Sequence, residues 1–257
     1  MQQVIDEFES LLICHKDVYK THIENKTEFE VLKRTSSVIF IKSNNLKNII
    51  DNFKNSNFII KKYLDKFNLV IHTNENSNNQ IVYDKFFEFI APIYEKLIDI
   101  KRNENNINNL LSLLLKTINY NKQMKIIDFG CGSGLSHSLS MNINVKLIGL
   151  DRCPLMRKIS KEKGMDVWGY ADLIKQPFNS INAYISSYVF HLFQESNSLK
   201  LLWKKLMYNG TIIANFHKNQ GIDIFISTLK NLGGEIAIID NFENKYNHGK
   251  YLIFKKE

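Results

Sequence analysis

This chain has little of what holds secreted or metal-dependent proteins together. Its three cysteines (Cys14, Cys131, Cys153) are scattered and odd in number. That leaves neither a disulfide framework nor a zinc-type spacing, so no metal is expected and a reducing cytoplasm is the expected setting. No apolar stretch approaches the ~18 residues that a membrane-crossing helix needs, and the N-terminal stretch lacks the profile of a signal peptide. Basic residues exceed acidic ones by 34 to 26, but residues 1–80 hold 11 against 10, and no basic block is interleaved with aromatics. A nucleic-acid groove is therefore not indicated.

What is present is an alternation of short apolar runs and amphipathic segments over residues 81–257, the pattern of a parallel sheet covered on both faces. The most informative run is Ile126-Ile127-Asp128-Phe129-Gly130-Cys131-Gly132-Ser133-Gly134. It reads as a buried strand ending in an acid, followed at once by a tight glycine turn whose backbone can approach a ligand. A dinucleotide fingerprint, G-x-G-x-x-G, would need glycine at position 135, where this chain has Leu135. A carboxylate at Asp128 would also repel a pyrophosphate, whereas it suits a ligand carrying an ammonium group.

The Asp128–Gly134 segment resembles motif I of the class I S-adenosylmethionine-dependent methyltransferases, D-x-G-x-G-x-G, and further segments follow in that family's order. Val145 to Asp151 is a second strand ending in an acid, 23 residues after Asp128. Asp151 suits the paired ribose hydroxyls of the cofactor, and it equally suits the start of the helix near Pro154. Val167 to Tyr170 followed by Ala171-Asp172-Leu173 is similar to the third motif, in which Asp172 matches the acid near the adenine amino group. Asn182 to Ser187, leading to His191, looks like the fourth-strand segment. The resemblance implies a seven-stranded, mostly parallel α/β sheet with helices on both faces and a final antiparallel hairpin. It also implies a cofactor site built from Asp128, Gly130, Cys131, Gly132, Gly134, Asp151, Arg152, Ala171, Asp172, Leu173 and Ser187. His191 and His217 follow the fourth and fifth strands; each fits either a general base or an ordinary loop or core histidine.

The acceptor is narrowed by absence. The N-P-P-Y or D-P-P-Y corner of base-amine methylation is replaced by Ser186-Ser187-Tyr188-Val189, and no Pro-Cys dipeptide of cytosine-carbon methylation occurs. A small-molecule or biosynthetic-intermediate acceptor is favoured; RNA or protein methylation, and cofactor binding without methyl transfer, remain alternatives. A homodimer is compatible with the sequence.

Residues 1–80 read as a small N-terminal α+β appendage acting as a lid, in substrate selection or in dimerisation. It has a helix over Val4 to Ile13, strands at Val38–Lys42 and Asn68–His72 around a helix near Leu46 to Phe53, and a polar linker at Asn74 to Gln80. After it, Tyr83 to Phe87 resembles the helix that covers the cofactor in many small-molecule methyltransferases, with Tyr83 reaching the methionine end. The same helix reads equally well as an apolar packing face of Phe86, Phe87, Phe89, Ile90 and Tyr94. The asparagine-rich run Asn103 to Asn109 reads as compositional bias.

Overall fold

The computed structural model describes residues 11–24, 29–43, 57–63, 67–73, 76–190, 196–216, 222–240 and 250–257. The chain divides into two compact units, Met1–Leu97 and Ile98–Glu257.

In the N-terminal unit, strands β1 (Leu11–His15), β2 (Phe29–Arg34), β3 (Val38–Ser43), β4 (Phe58–Tyr63) and β5 (Phe67–His72) form one sheet in the order β2-β3-β1-β5-β4. β1 runs parallel to β5 and antiparallel to β3. Leu11 to Ile13 belong to this central strand rather than to a helix. An apolar run this short carries no period to separate the two, and pairing on both edges settles it. Alternate residues of the strands serve opposite faces. Leu12, Cys14, Ile39, Ile41 and Val70 pack with Val18, Tyr19 and Ile23, in and just beyond helix α1 (Lys16–His22). Burial pushes the Cys14 thiol up to about 12, which makes it an inert core group.

Helix α2 (Asn76–Ile90) lays its aromatic side on this sheet, with Phe86 against Phe67 (5.2 Å between rings) and Phe89 against Phe40 (4.7 Å). The boundary expected at residue 80 therefore falls inside a helix that belongs to the N-terminal unit. The polar stretch expected as a linker is helical from Asn76. Pro92 then converts the chain to a short 3-10 turn, Ala91–Ile93, before the four-residue α3 (Tyr94–Leu97). The helices expected over Val4 to residue 10 and near Leu46 to Phe53 lie outside the described residues.

The C-terminal unit begins with α4 (Ile100–Thr117), capped by Asp99, whose side chain accepts from the Arg102 N–H. It contains the asparagine run, and Asn106 is wholly buried in it, so the run is structural rather than a mere bias. Then come β6 (Ile126–Phe129), α5 (Leu135–Asn142), β7 (Leu147–Leu150), α6 (Pro154–Glu162), β8 (Asp166–Trp168), α7 (Tyr170–Lys175) and β9 (Ile181–Ser187). They are followed by α8 (Ser196–Lys205), β10 (Leu206–Phe216), α9 (Ile222–Asn231), β11 (Gly234–Asp240) and β12 (Lys250–Lys256). The seven strands lie in the order β11-β12-β10-β9-β6-β7-β8. All pairs are parallel except those of β12, which runs antiparallel to both β10 and β11.

Strand parity builds two cores. Ile127, Phe129, Tyr184, Ile212, Ala214 and Phe254 pack with Leu173, Leu202, Trp203, Phe225 and Leu229 from α7, α8 and α9. Ile126, Ala183, Ile185, Ile213 and Tyr251 pack with Ile107, Leu110, Leu111 and Leu114 of α4. The sheet order reverses between β6 and β9, and the crevice at such a switch point, outside the carboxyl ends of the strands, is where ligands bind in open α/β sheets.

Among the buried side chains of β9, Tyr184 is the anomaly. It is fully buried, and its hydroxyl has no hydrogen-bond partner among the described residues. Burial, assisted by nearby Tyr170, drives its pKa far up. Removing an unmet polar atom should not cost stability. Tyr184→Phe is expected to equal the wild type or exceed it by about 1 kcal/mol, a rise in Tm of roughly 2–4 °C for a unit this size. A clear loss of Tm in a thermal melt would refute this reading.

Candidate functional site

β6 ends at the switch point, and the chain then turns through Gly130 (φ 76°), Gly132 (φ 54°) and Gly134 (φ 80°), all in the left-handed region. Space as well as conformation demands glycine there. A Cβ on Gly130 would stand 2.3 Å from a Val189 methyl, and one on Gly134 would stand 2.4 Å from Ser160 Oγ. The turn is tied to the neighbouring strand by backbone bonds, with Gly130 N–H donating to Leu150 O at 2.7 Å and Cys131 N–H to the same oxygen at 3.3 Å.

Asp151, at the tip of β7, completes the latch. Its Oδ2 accepts from Gly132 N–H at 2.9 Å and its Oδ1 from Cys153 N–H at 2.8 Å. Cys153, not Asp151, is the residue that opens α6, with Pro154 at its first position. Arg157 donates to the carbonyl oxygens of Asp151 (2.9 Å) and Arg152 (2.8 Å) and so fixes the strand tip from below. Asp151 is thus held in one rotamer.

Asp128 lies one layer deeper, 6 % exposed, with Ser136 Oγ of the first turn of α5 donating to its Oδ2. Burial pushes its pKa up to about 6, and the charge of Asp151 adds to that rise while the Ser136 bond opposes it. This carboxylate is buried at the N-terminus of α5, and Ser136 and Asp151 are the neighbours that bear on its charge. It also places negative charge where a pyrophosphate would otherwise bind, which agrees with the missing third glycine of a dinucleotide loop.

On the adjoining side, Asp172 accepts from Gly169 N–H at 2.9 Å and caps α7. Its neighbour Ala171 is exposed. The Arg152 guanidinium lies over the Tyr170 ring at 5.5 Å. Leu173 is wholly buried in the core packed by α7. Cys131 is buried beside Ser160 and its thiol is pushed well up by burial, with the nearby acids adding to the rise; it is not a nucleophile. Ser187 ends β9, and its Oγ is buried with no hydrogen-bond partner among the described residues.

Asp128, the glycine turn, Asp151, Arg152, Asp172 and Ser187 therefore all belong to the carboxyl-end segments of β6, β7, β8 and β9. Tyr83 belongs to the N-terminal unit, where burial in α2 pushes its hydroxyl up to about 12. His191 and His217 lie outside the described residues. The stacked rings of Phe129 and Phe190 (5.0 Å) hold the chain immediately before His191, and buried Phe216 does the same before His217. Two residues escaped sequence reading, Asn106 and Asn215. Their only signal was a polar residue at an apolar position of the helix or strand period.

No family model matches the chain, and no curated protein matches it. Solved structures do. A S-adenosylmethionine-dependent methyltransferase of Thermotoga maritima superposes with a TM-score of 0.51 at 12% identity, covering 67% of this chain and 99% of that one. A S-adenosylmethionine-dependent methyltransferase of Aquifex aeolicus gives 0.50 at 16% identity, covering 64% and 97%. The C-terminal sheet thus has the Rossmann-like fold of the class I S-adenosylmethionine-dependent methyltransferases. No helix among the described residues is long and apolar enough to cross a membrane.

The raised pKa of Asp128 makes a stability prediction. Between its ordinary value of 3.8 and about 6, the folded protein binds more protons than the unfolded chain, so stability falls as pH rises through that window. The full penalty is present at neutral pH, roughly 3 kcal/mol for a shift of about two units. Asp128→Asn keeps an acceptor for Ser136 and removes the charge. It is expected to be more stable than the wild type at pH 7 by roughly 1–3 kcal/mol, with the gain vanishing near pH 4. Urea denaturation across pH 4–7 checks this, and a gain independent of pH would contradict it.

Proposed function

We propose that the protein is a S-adenosylmethionine-dependent methyltransferase acting at O, N or C of a small-molecule or biosynthetic-intermediate acceptor. The observation that carries this is the pairing of two unlike carboxylates around one glycine turn. Asp128 is buried with its pKa raised, and Asp151 is held in place by two backbone amides. A ligand with an ammonium group at one end and a ribose diol at the other meets both demands. The turn itself, with three left-handed glycines, lets backbone rather than side chain face the ligand between them.

In this reading Asp128 holds the ammonium of the methionine moiety, the backbone of Gly130, Cys131, Gly132 and Gly134 cradles the centre of the ligand, and Asp151 takes the ribose. Arg152 and Asp172 border the adenine, with Ala171 beside them, and Tyr83 is the candidate group from the N-terminal unit. When bound, the cofactor supplies an electrophilic methyl on a sulfonium, so the chain needs no nucleophile of its own. Its task is to align the acceptor, exclude water and, for a hydroxyl or ammonium acceptor, remove a proton. His191 and His217, each following a strand end, are the residues proposed for that proton.

A cytoplasmic location and a small acceptor fit the scattered cysteines and the absence of base-amine and cytosine-methylation motifs. Incubation with methyl-labelled cofactor and a metabolite extract is expected to place label in small products. Label in RNA or protein would reject the acceptor class, and tight cofactor binding without any transfer would reject the activity. Asp151→Ala is expected to weaken S-adenosylhomocysteine at least tenfold by calorimetry, about 1.4 kcal/mol or more. An unchanged affinity would remove Asp151 from the ribose role.

A further inference from the structure

Three side chains at the carboxyl end of the sheet stand in one row. Asn215 of β10 is in register with Ser187 of β9 on one side and Tyr251 of β12 on the other. Directly paired residues point to the same face, here the one covered by α4. Two residues back along the strands, the equivalent row is Ile185, Ile213 and Ile253, which is apolar and packed. Ile185 is itself the partner of Asp128. The polar row thus lies one step beyond Asp128 on the same face, next to the glycine turn.

One end of the row is fully bonded. The Tyr251 hydroxyl donates to Asn106 Oδ1 at 2.8 Å and accepts from Asn109 Nδ2 at 3.1 Å, and Asn106 Nδ2 donates to the Tyr188 hydroxyl. Tyr188 holds a left-handed backbone (φ 59°), a strained state for a bulky residue. Arg102 and Asp99, charged groups near this network, face each other at 4.0 Å.

The rest of the row is different. Asn215 is 1 % exposed and its side chain lies in hydrogen-bonding proximity to the Tyr251 hydroxyl, yet neither end of its carboxamide makes a well-formed hydrogen bond among the described residues. The same holds for Ser187 Oγ. Neighbouring hydroxyls of the same strands do meet such needs, as Ser186 Oγ donates to Phe129 O and Thr211 Oγ1 to Phe254 O, both at 2.9 Å. Unmet buried polar atoms are destabilising and uncommon, and a cluster of three in one row points to a ligand.

We propose that Asn215 and Ser187 form the acceptor subsite, and that it takes a planar, uncharged group presenting a hydrogen-bond donor beside an acceptor, as an amide, lactam or pyridone does. A carboxamide offers N–H and C=O in one plane and pairs best with the same pattern reversed. The row contains no charge to neutralise a carboxylate, phosphate or ammonium. The α4 asparagines bond the Tyr251 hydroxyl, so holding it does not fall to Asn215 alone. That the bound group is then methylated rests on the reading given under Proposed function; the binding itself does not.

The test uses the full chain with saturating S-adenosylhomocysteine, and 2-pyridone and benzoate as probes, read by ligand-observed NMR. 2-Pyridone is expected to bind in the millimolar range of so small a ligand, at least tenfold tighter than benzoate. Asn215→Leu is expected to weaken it at least tenfold with S-adenosylhomocysteine affinity within threefold of wild type. Ser187→Ala, a milder change, should weaken it less and in the same direction. Equal binding of both probes, no binding of 2-pyridone, or full binding to Asn215→Leu would overturn the proposal. So would a large fall in Tm for Asn215→Leu, because it would show the carboxamide bonded within the protein. If 2-pyridone binds in this Asn215-dependent way while S-adenosylhomocysteine does not bind, the subsite stands and the cofactor reading fails. If S-adenosylhomocysteine binds and 2-pyridone does not, the reverse holds.

Discussion

The carboxylate of Asp151 joins pieces that the fold would otherwise leave independent. One oxygen holds Gly132 N–H of the turn after β6, the other holds Cys153 N–H at the start of α6. Two strand ends and a helix start thereby share a single charged acceptor, and bonds of this kind are stronger than neutral ones. The left-handed glycines depend on it. A turn with three such residues in five positions is floppy in the unfolded chain and costs more entropy than usual to order. The latch offsets that cost and sets the turn in one conformation before any ligand arrives, which is what preorganisation requires.

Asp128 shows the opposite economy. Its burial raises its pKa and destabilises the folded chain at neutral pH, yet the residue is retained under the turn. A structural acid would be placed where its charge is solvated or paired. One kept in a dry position beside a second carboxylate has the Ser136 hydroxyl to offset its burial, and a bound cation would offset it further. The two acids therefore have different duties although they lie on adjacent strands. Asp151 accepts from two backbone amides, whereas Asp128 accepts from the Ser136 hydroxyl.

Much of the C-terminal sheet was legible because its signals are local. Apolar runs ending in acids, glycines at fixed spacing and Pro154 at a helix start each follow from backbone sterics, and β6, β7, β9 and α9 fell where those signals put them. The N-terminal unit was less legible. Its β1 is a short run of four apolar residues and His15, whose identity as a strand depends on partners distant in sequence, β3 and β5. The asparagines of α4 misled for a related reason. In sequence they match the excess elsewhere in the chain, and only the position of Asn106 beneath Tyr251 and Tyr188 separates a buried network from a biased composition.

That distinction bears on how this fold acquires specificity. The apolar rows beneath the turn are interchangeable in chemistry, and any set of aliphatic residues of similar volume would hold the sheet. The row of Ser187, Asn215 and Tyr251 is not interchangeable, because a buried carboxamide discriminates by leaving groups unpaired when the wrong ligand binds. A site of this kind rejects more sharply than an apolar one, and it does so without carrying charge. In the proposed reading the cofactor site is built from backbone and two carboxylates, which any ligand with an ammonium and a diol can use. In the same reading, selectivity for the acceptor falls to side chains at the ends of β9 and β10 and the start of β12, where the strand parity that builds the core also places three polar groups in one row.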